Sequence, residues 1–93
     1  MEGTEYLILM AKSALAQSKA AEVMEILQDS KLDDNSEVLY LKGEASYRLQ
    51  NWGESINYFR DFQSKNPDDK KAQAYIEMIQ NILTFYHKDH FNP

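Results

Sequence analysis

The side chains that could do chemistry are numerous in this chain, but their spacing gathers few of them. His87, Asp89 and His90 superficially resemble metal ligands, because the two histidines are three apart and could meet on one helical turn. Zinc takes four ligands, or three and a water, and the chain has no cysteine and no second histidine pair. The triplet is therefore expected to be a solvated tail whose charge varies near neutral pH, and no metal is expected. The carboxylate pairs Asp33-Asp34 and Asp68-Asp69 are adjacent in sequence. That pattern serves solubility and helix starts rather than a spaced acid and base. The serines lack a histidine and an acid at any spacing that would suggest a nucleophile, and three glycines make no phosphate-binding loop. No catalytic residue and no cofactor is expected, and the chain reads as a non-enzyme.

Binding chemistry is better represented. Tyr40, Glu44, Tyr47 and Arg48 follow one another at i,i+4, i,i+3 and i,i+1 spacings, which place them on one side of a helix. Tyrosine and arginine are the residues favoured at binding hot spots. Two readings stay open: contact with a partner, or tyrosines packed as core or groove wall with Glu44 and Arg48 as an ordinary surface pair.

The elements that must hold these residues read as helices throughout. Leu7, Met10, Ala11, Ala14 and Leu15 recur at helical spacing over 4–17. Ser18 is the expected N-cap of a second helix ending near Asp29, with Val23, Ile26 and Leu27 on its apolar face, and 30–36 reads as a polar loop. A third helix follows Asn35 or Ser36 and ends near Leu49, with Leu39, Gly43 and Ser46 on one stripe. Glycine inside a helix costs ~1 kcal/mol against alanine, so close contact with the next helix is expected at Gly43. Asn51 and Glu54 suggest a capping box around Trp52, whose side chain is expected to fold back and seal the turn. The fourth helix covers 52–65, burying Ile56, Phe59 and Phe62, and Pro67 stops it. A longer fifth helix over 69–87 carries Ala72, Tyr75, Ile76, Ile79, Ile82, Leu83 and Tyr86 in an apolar band.

At 93 residues the chain is expected to form one all-α domain, 1–93, with a thin core. Fifteen acidic against ten basic residues give a net charge of −5, which disfavours a nucleic-acid backbone or an anionic membrane as partner. A basic stripe of the kind an RNA-binding helical repeat would carry is missing. No apolar run is long enough for a membrane span, and Glu2 and Glu5 precede the short run at 6–10, unlike the basic start of a signal peptide. A cytoplasmic protein is expected, and the missing cysteines fit a reducing compartment.

Gly43, Ala45, Tyr47, Trp52, Ser55, Phe59 and Pro67 together resemble one tetratricopeptide repeat, a helix–turn–helix unit of about 34 residues. Numbered from Ser36, the small, aromatic and proline positions of the family fall on Gly43, Trp52, Ser55, Phe59 and Pro67 without a gap. Lys42, Ser46 and Phe62 depart from the leucine, tyrosine and alanine of the pattern. An upstream copy over 4–35 keeps fewer signature positions, with Ala11, Ala20, Val23 and Leu27 in the matching roles and Ala11 lying 32 residues before Gly43. The segment 69–87 takes the place of the helix that caps such arrays. The resemblance thus implies about five helices in antiparallel hairpins, wound as a short right-handed superhelix with a C-terminal cap. Two repeats fall short of the three usually needed, so dimerisation or a compact cap is expected to compensate.

The family's groove positions, carried over one by one, give Glu37, Tyr40, Glu44, Tyr47 and Arg48, and in the upstream copy Glu5, Ile8, Lys12, Leu15 and Ala16. Leu41 stands where members that clamp a partner's C-terminal carboxylate carry asparagine. Glu5, Glu37 and Glu44 lend the groove an acidic lean, so the implied partner is a protein or peptide segment of basic or mixed charge. The alternative expectation is a self-assembly module whose first helix pairs with a second copy through Leu7, Leu9, Met10 and Ala14.

Overall fold

The computed structural model describes the backbone of residues 2–91 and the side chains of residues 3–86. Among them the chain forms α1 (Glu2–Ala16), α2 (Ala20–Ile26), a 3-10 turn (Ser30–Asp34), α3 (Ser36–Arg48), α4 (Trp52–Lys65) and α5 (Lys70–Phe91), with no strand. Each helix packs on the next, and α1 also reaches α3. No helix is long and apolar enough to cross a membrane among the described residues.

The turns closing the first two helix pairs are built alike. Ser18 takes φ 63° after α1, and Gln50 takes φ 63° after α3, 32 residues later. In the first turn Ser18 N–H donates to Leu15 O (3.0 Å) and Lys19 N–H to Ala14 O (2.9 Å). In the second, Gln50 N–H donates to Tyr47 O (3.0 Å) and Asn51 N–H to Ser46 O (2.9 Å). This is the paired closure of a Schellman motif, in which a left-handed residue satisfies carbonyls at a helix end. Two expectations are corrected here. Ser18 ends α1 instead of capping α2, whose N-cap residue Lys19 makes no side-chain cap bond. The Asn51–Glu54 capping box does not form either: Asn51 sits at φ −88°, ψ 75° and makes no side-chain cap bond. Its backbone N–H is committed to closing the preceding helix.

Side-chain caps are found at other starts. Asn35 Oδ1 accepts from the N–H groups of Glu37 (2.8 Å) and Val38 (3.2 Å), and Asp69 Oδ1 from that of Ala72 (2.9 Å). The segment expected to be a polar loop at 30–36 holds the 3-10 turn, entered through Asp29 Oδ1 accepting from Lys31 N–H (3.0 Å). Two lysines pin it: Lys42 Nζ to Asp33 Oδ1 (2.7 Å) and Lys65 Nζ to Asp34 O (2.8 Å). Lys42, in place of an aliphatic residue, is only 3% exposed and lies 5.5 Å from the Tyr58 ring centroid. α4 ends at Lys65, two residues before Pro67, with Asn66 Nδ2 donating to Phe62 O (3.0 Å).

The core falls into two parts. An amino-terminal part joins Ile8, Ala11, Leu15, Val23, Leu27, Val38, Leu41 and Ala45. A carboxy-terminal part joins Leu39, Ile56, Phe59, Phe62, Ala72, Ile76 and Ile79, with Tyr40, Trp52, Tyr58 and Tyr75 partly buried around it. Gly43 marks where α3 and α4 come closest. A Cβ there would lie 2.9 Å from the Phe59 ring, and the buried Ser55 hydroxyl donates to Gly43 O at 2.8 Å. The reason for glycine is therefore a ring pressed on the backbone, reinforced by a side-chain bond across the pair. Trp52 is half-buried and packs at 5.3 Å against Tyr47 across the turn between the two helices.

Candidate functional site

Helical spacing puts Tyr40, Glu44, Tyr47 and Arg48 on one side of α3. From α5, Lys71, Ala74, Tyr75 and Met78 come alongside, and together the eight residues line an open cleft of about 620 Å³. A second cleft of about 550 Å³ adjoins it toward α1, sharing Tyr40, Glu44, Arg48 and Lys71 and adding Lys12, Leu15, Ala16, Glu37 and Asp69 among its walls. The two form a continuous furrow across α1, α3 and α5.

Most expected site residues meet there. Lys12 and Glu37 form a salt bridge across α1 and α3. Ile8 differs: it is buried in the amino-terminal core and presents almost no surface to the furrow. Its helix turns that position inward beside Ala11 and Leu15. Glu5 lies at a separate depression, with Thr4 and the 3-10 turn. Among the described residues, Glu44 and Arg48 do not form the surface ion pair allowed by their spacing. Glu44 Oε2 instead accepts from Tyr75 O–H (3.1 Å), and an Arg48 guanidinium N–H donates to Leu15 O (2.9 Å), tying α3 to the end of α1.

The tyrosines serve as wall and core at once. Tyr75 stacks on Phe59 at 4.4 Å and meets Tyr47 (5.2 Å) and Tyr40 (6.1 Å) edge to face; Tyr40 in turn packs on Phe59 and Phe62. Burial, followed by the nearby Glu44 carboxylate and its hydrogen bond, pushes the Tyr75 phenol up to about 12. Burial and then Glu44 also raise that of Tyr40. Both phenols stay protonated at neutral pH, so they act as hydrogen-bond donors and apolar walls.

Lys71, Ala74, Tyr75 and Met78 were not among the residues expected at the site. Ala72, Ile76 and Ile79 mark the buried stripe of α5, and Lys71, Tyr75 and Met78 flank it, a signal available only once the side of α5 that meets α3 is known. With them the furrow is charge-balanced rather than acidic: Lys12, Arg48 and Lys71 stand against Glu37, Glu44 and Asp69. No three His, Cys, Asp or Glu side chains gather as a metal site among the described residues. His87, Asp89 and His90 lie outside the described side chains. No protein-family model matches the chain, and no solved structure matches it.

Proposed function

We propose that this chain is a non-catalytic, cytoplasmic interaction module of tetratricopeptide-repeat type, in which the α1–α2 and α3–α4 hairpins are followed by α5 as a cap. A peptide segment of a partner protein lies in the furrow across α1, α3 and α5. The observation that carries this reading is the convergence of Tyr40, Tyr47, Tyr75 and Met78 with Glu44, Arg48 and Lys71 around one open cleft. The matched turns after α1 and α3 support the hairpin assignment.

The furrow offers apolar aromatic walls with charges of both signs, and the wall rings are already fixed by packing on Phe59 and Phe62. Little ordering cost then falls on the receptor side when a segment binds. The matching ligand is an extended segment of mixed charge with a large apolar side chain for the space between Tyr47 and Met78.

Fluorescence anisotropy against arrayed peptides of mixed, purely acidic and purely basic charge tests this. The mixed set should bind best, and Lys71→Glu combined with Met78→Lys should weaken binding at least about tenfold while the helical circular dichroism is retained. Absence of binding to all three sets, or binding indifferent to this variant, refutes the proposal.

A further inference from the structure

The two parts of the core share no residue, and α3 lies between them, giving Val38, Leu41 and Ala45 to one and Leu39 to the other. The parts differ in kind. The amino-terminal one is aliphatic, with Ala11, Ala14, Ala20 and Ala45 among its members and no aromatic ring. Leu7 and Ala14, expected from sequence at a contact with a second copy, pack in it instead. The carboxy-terminal one is built on Phe59 and Phe62 with four partly buried rings, and the Ser55 bond to Gly43 O crosses it. Small side chains remove less apolar surface from water, so the amino-terminal part is the weaker.

Local structure adds little to α2. Its seven residues follow the left-handed Ser18 without a side-chain cap, and so short a helix does not persist without its packing. Beyond apolar contact, the α1–α2 pair is tied to α3 by the Arg48 bond to Leu15 O, the Lys12–Glu37 salt bridge and a 3.8 Å contact from the Ser46 hydroxyl to Met24 Sδ. The salt bridge is half exposed on both sides, where such pairs contribute little. The 3-10 turn is held elsewhere, since Lys42 and Lys65 fix Asp33 and Asp34 to α3 and α4. Gln28 and Asp29, exposed and outside any helix, are left as the joint. The furrow crosses the same boundary. Its aromatic cleft is lined by α3 and α5 alone, whereas the adjoining cleft needs Lys12, Leu15 and Ala16 of α1.

We propose that the α1–α2 pair is a detachable wall of this furrow. It undocks and melts as one unit about Gln28 and Asp29, while α3, α4 and α5 keep the aromatic cleft. A bound segment that reaches α1 favours the docked form and holds the pair closed; one confined to the aromatic cleft does not. The linkage rests on the peptide-binding reading, and the separate opening does not.

Hydrogen exchange of the whole chain in low urea, followed by NMR, tests both. The amides of Ala11, Ala14, Val23 and Leu27 should share an opening constant at least about tenfold larger than those of Ala45, Phe59, Phe62 and Ile76, with a smaller urea slope. Ile79→Val weakens the carboxy-terminal core in the docked and undocked forms alike. It should therefore speed the second group roughly threefold to tenfold and leave the first unchanged. The tightest mixed-charge peptide of the anisotropy array, at saturation, should slow the first group at least about tenfold. Lys12→Glu combined with Ala16→Glu should abolish that slowing, measured within the variant with and without saturating peptide. Equal opening constants in the two groups, or an Ile79→Val effect shared by both, overturn the separate opening. A peptide that binds, and is weakened by Lys71→Glu/Met78→Lys, yet leaves the first group's exchange unchanged overturns the linkage. If no peptide binds, the peptide-binding reading fails and the linkage with it, while exchange of the free chain still decides the opening.

Discussion

Replacing Gly43 with alanine sets two known effects against each other at one site. In a helix interior the change gains about 1 kcal/mol from backbone propensity. Here the new methyl would meet three Phe59 ring carbons at 2.9–3.0 Å, well inside ordinary contact. The ring has no easy retreat, being fully buried, stacked on Tyr75 at 4.4 Å and edge-on to Tyr40 at 5.4 Å. Nor can the backbones separate without stretching the 2.8 Å bond from Ser55 to Gly43 O. Overpacking costs about 1–3 kcal/mol, and a ring that cannot retreat puts this site at about 2–3 kcal/mol, so the net loss should be about 1–2 kcal/mol. For a domain of this size that lowers the melting temperature by roughly 5–12 °C. Thermal and urea unfolding measure it. Gly53, in the first turn of α4, provides the contrast, because a methyl group added there would meet no atom within 4 Å. Gly53→Ala should therefore stabilise by about 0.5 kcal/mol. In a Phe59→Leu background the overpacking should vanish and only the propensity gain remain, giving a coupling energy of about 2–3 kcal/mol. A Gly43→Ala protein as stable as its parent, or a coupling near zero, refutes the account of this crossing.

Other expectations follow from the same packing. Gln50→Gly relieves a left-handed non-glycine residue and should stabilise by about 0.5–1 kcal/mol, read from urea midpoints at constant slope. Tyr75→Phe keeps the stacked ring but loses the bond to Glu44, costing about 1 kcal/mol at pH 7. The Tyr75 phenol is held near 12 in the fold against about 10 unfolded, so its contribution is complete below pH 10 and is lost as pH rises through 12. In urea titrations the parent's advantage over Tyr75→Phe should therefore narrow across that window. Asp33→Ala strands the buried Lys42 ammonium beside only the Tyr58 ring and should cost about 2 kcal/mol; Lys42→Met in the same chain should recover most of it.

The helices were legible in sequence where apolar spacing and stop signals agreed. The range 52–65 is bounded as expected, and the stripe of Leu39, Gly43 and Ser46 is buried as its spacing required. At the turns, residue type is a poor guide to geometry. Ser18 and Asn51 are good capping residues by composition, yet the chain uses the positive φ of Ser18 and Gln50 to close the helix before, leaving the next helix without a side-chain cap. The strain of a serine or glutamine in that conformation is offset by packing across the pair, which no local rule contains.

The site was legible to the extent that it belongs to α3. Tyr40, Glu44, Tyr47 and Arg48 share a side of that helix by spacing alone, but their partners are set by tertiary contacts. Arg48 reaches Leu15 O on α1, and Glu44 is held by Tyr75 from α5, so the i,i+4 ion pair suggested by the sequence gives way to two longer-range bonds. The same contacts change the charge of the furrow, since Lys71 arrives from α5 and Lys12 meets Glu37 across α1 and α3. From sequence, Glu5, Glu37 and Glu44 on α1 and α3 suggest an acidic lean, but Glu5 lies at a separate depression. Under the proposed peptide-binding reading, fixed aromatic walls with charge of both signs make shape and the placement of one large apolar side chain the main determinants of the segment bound.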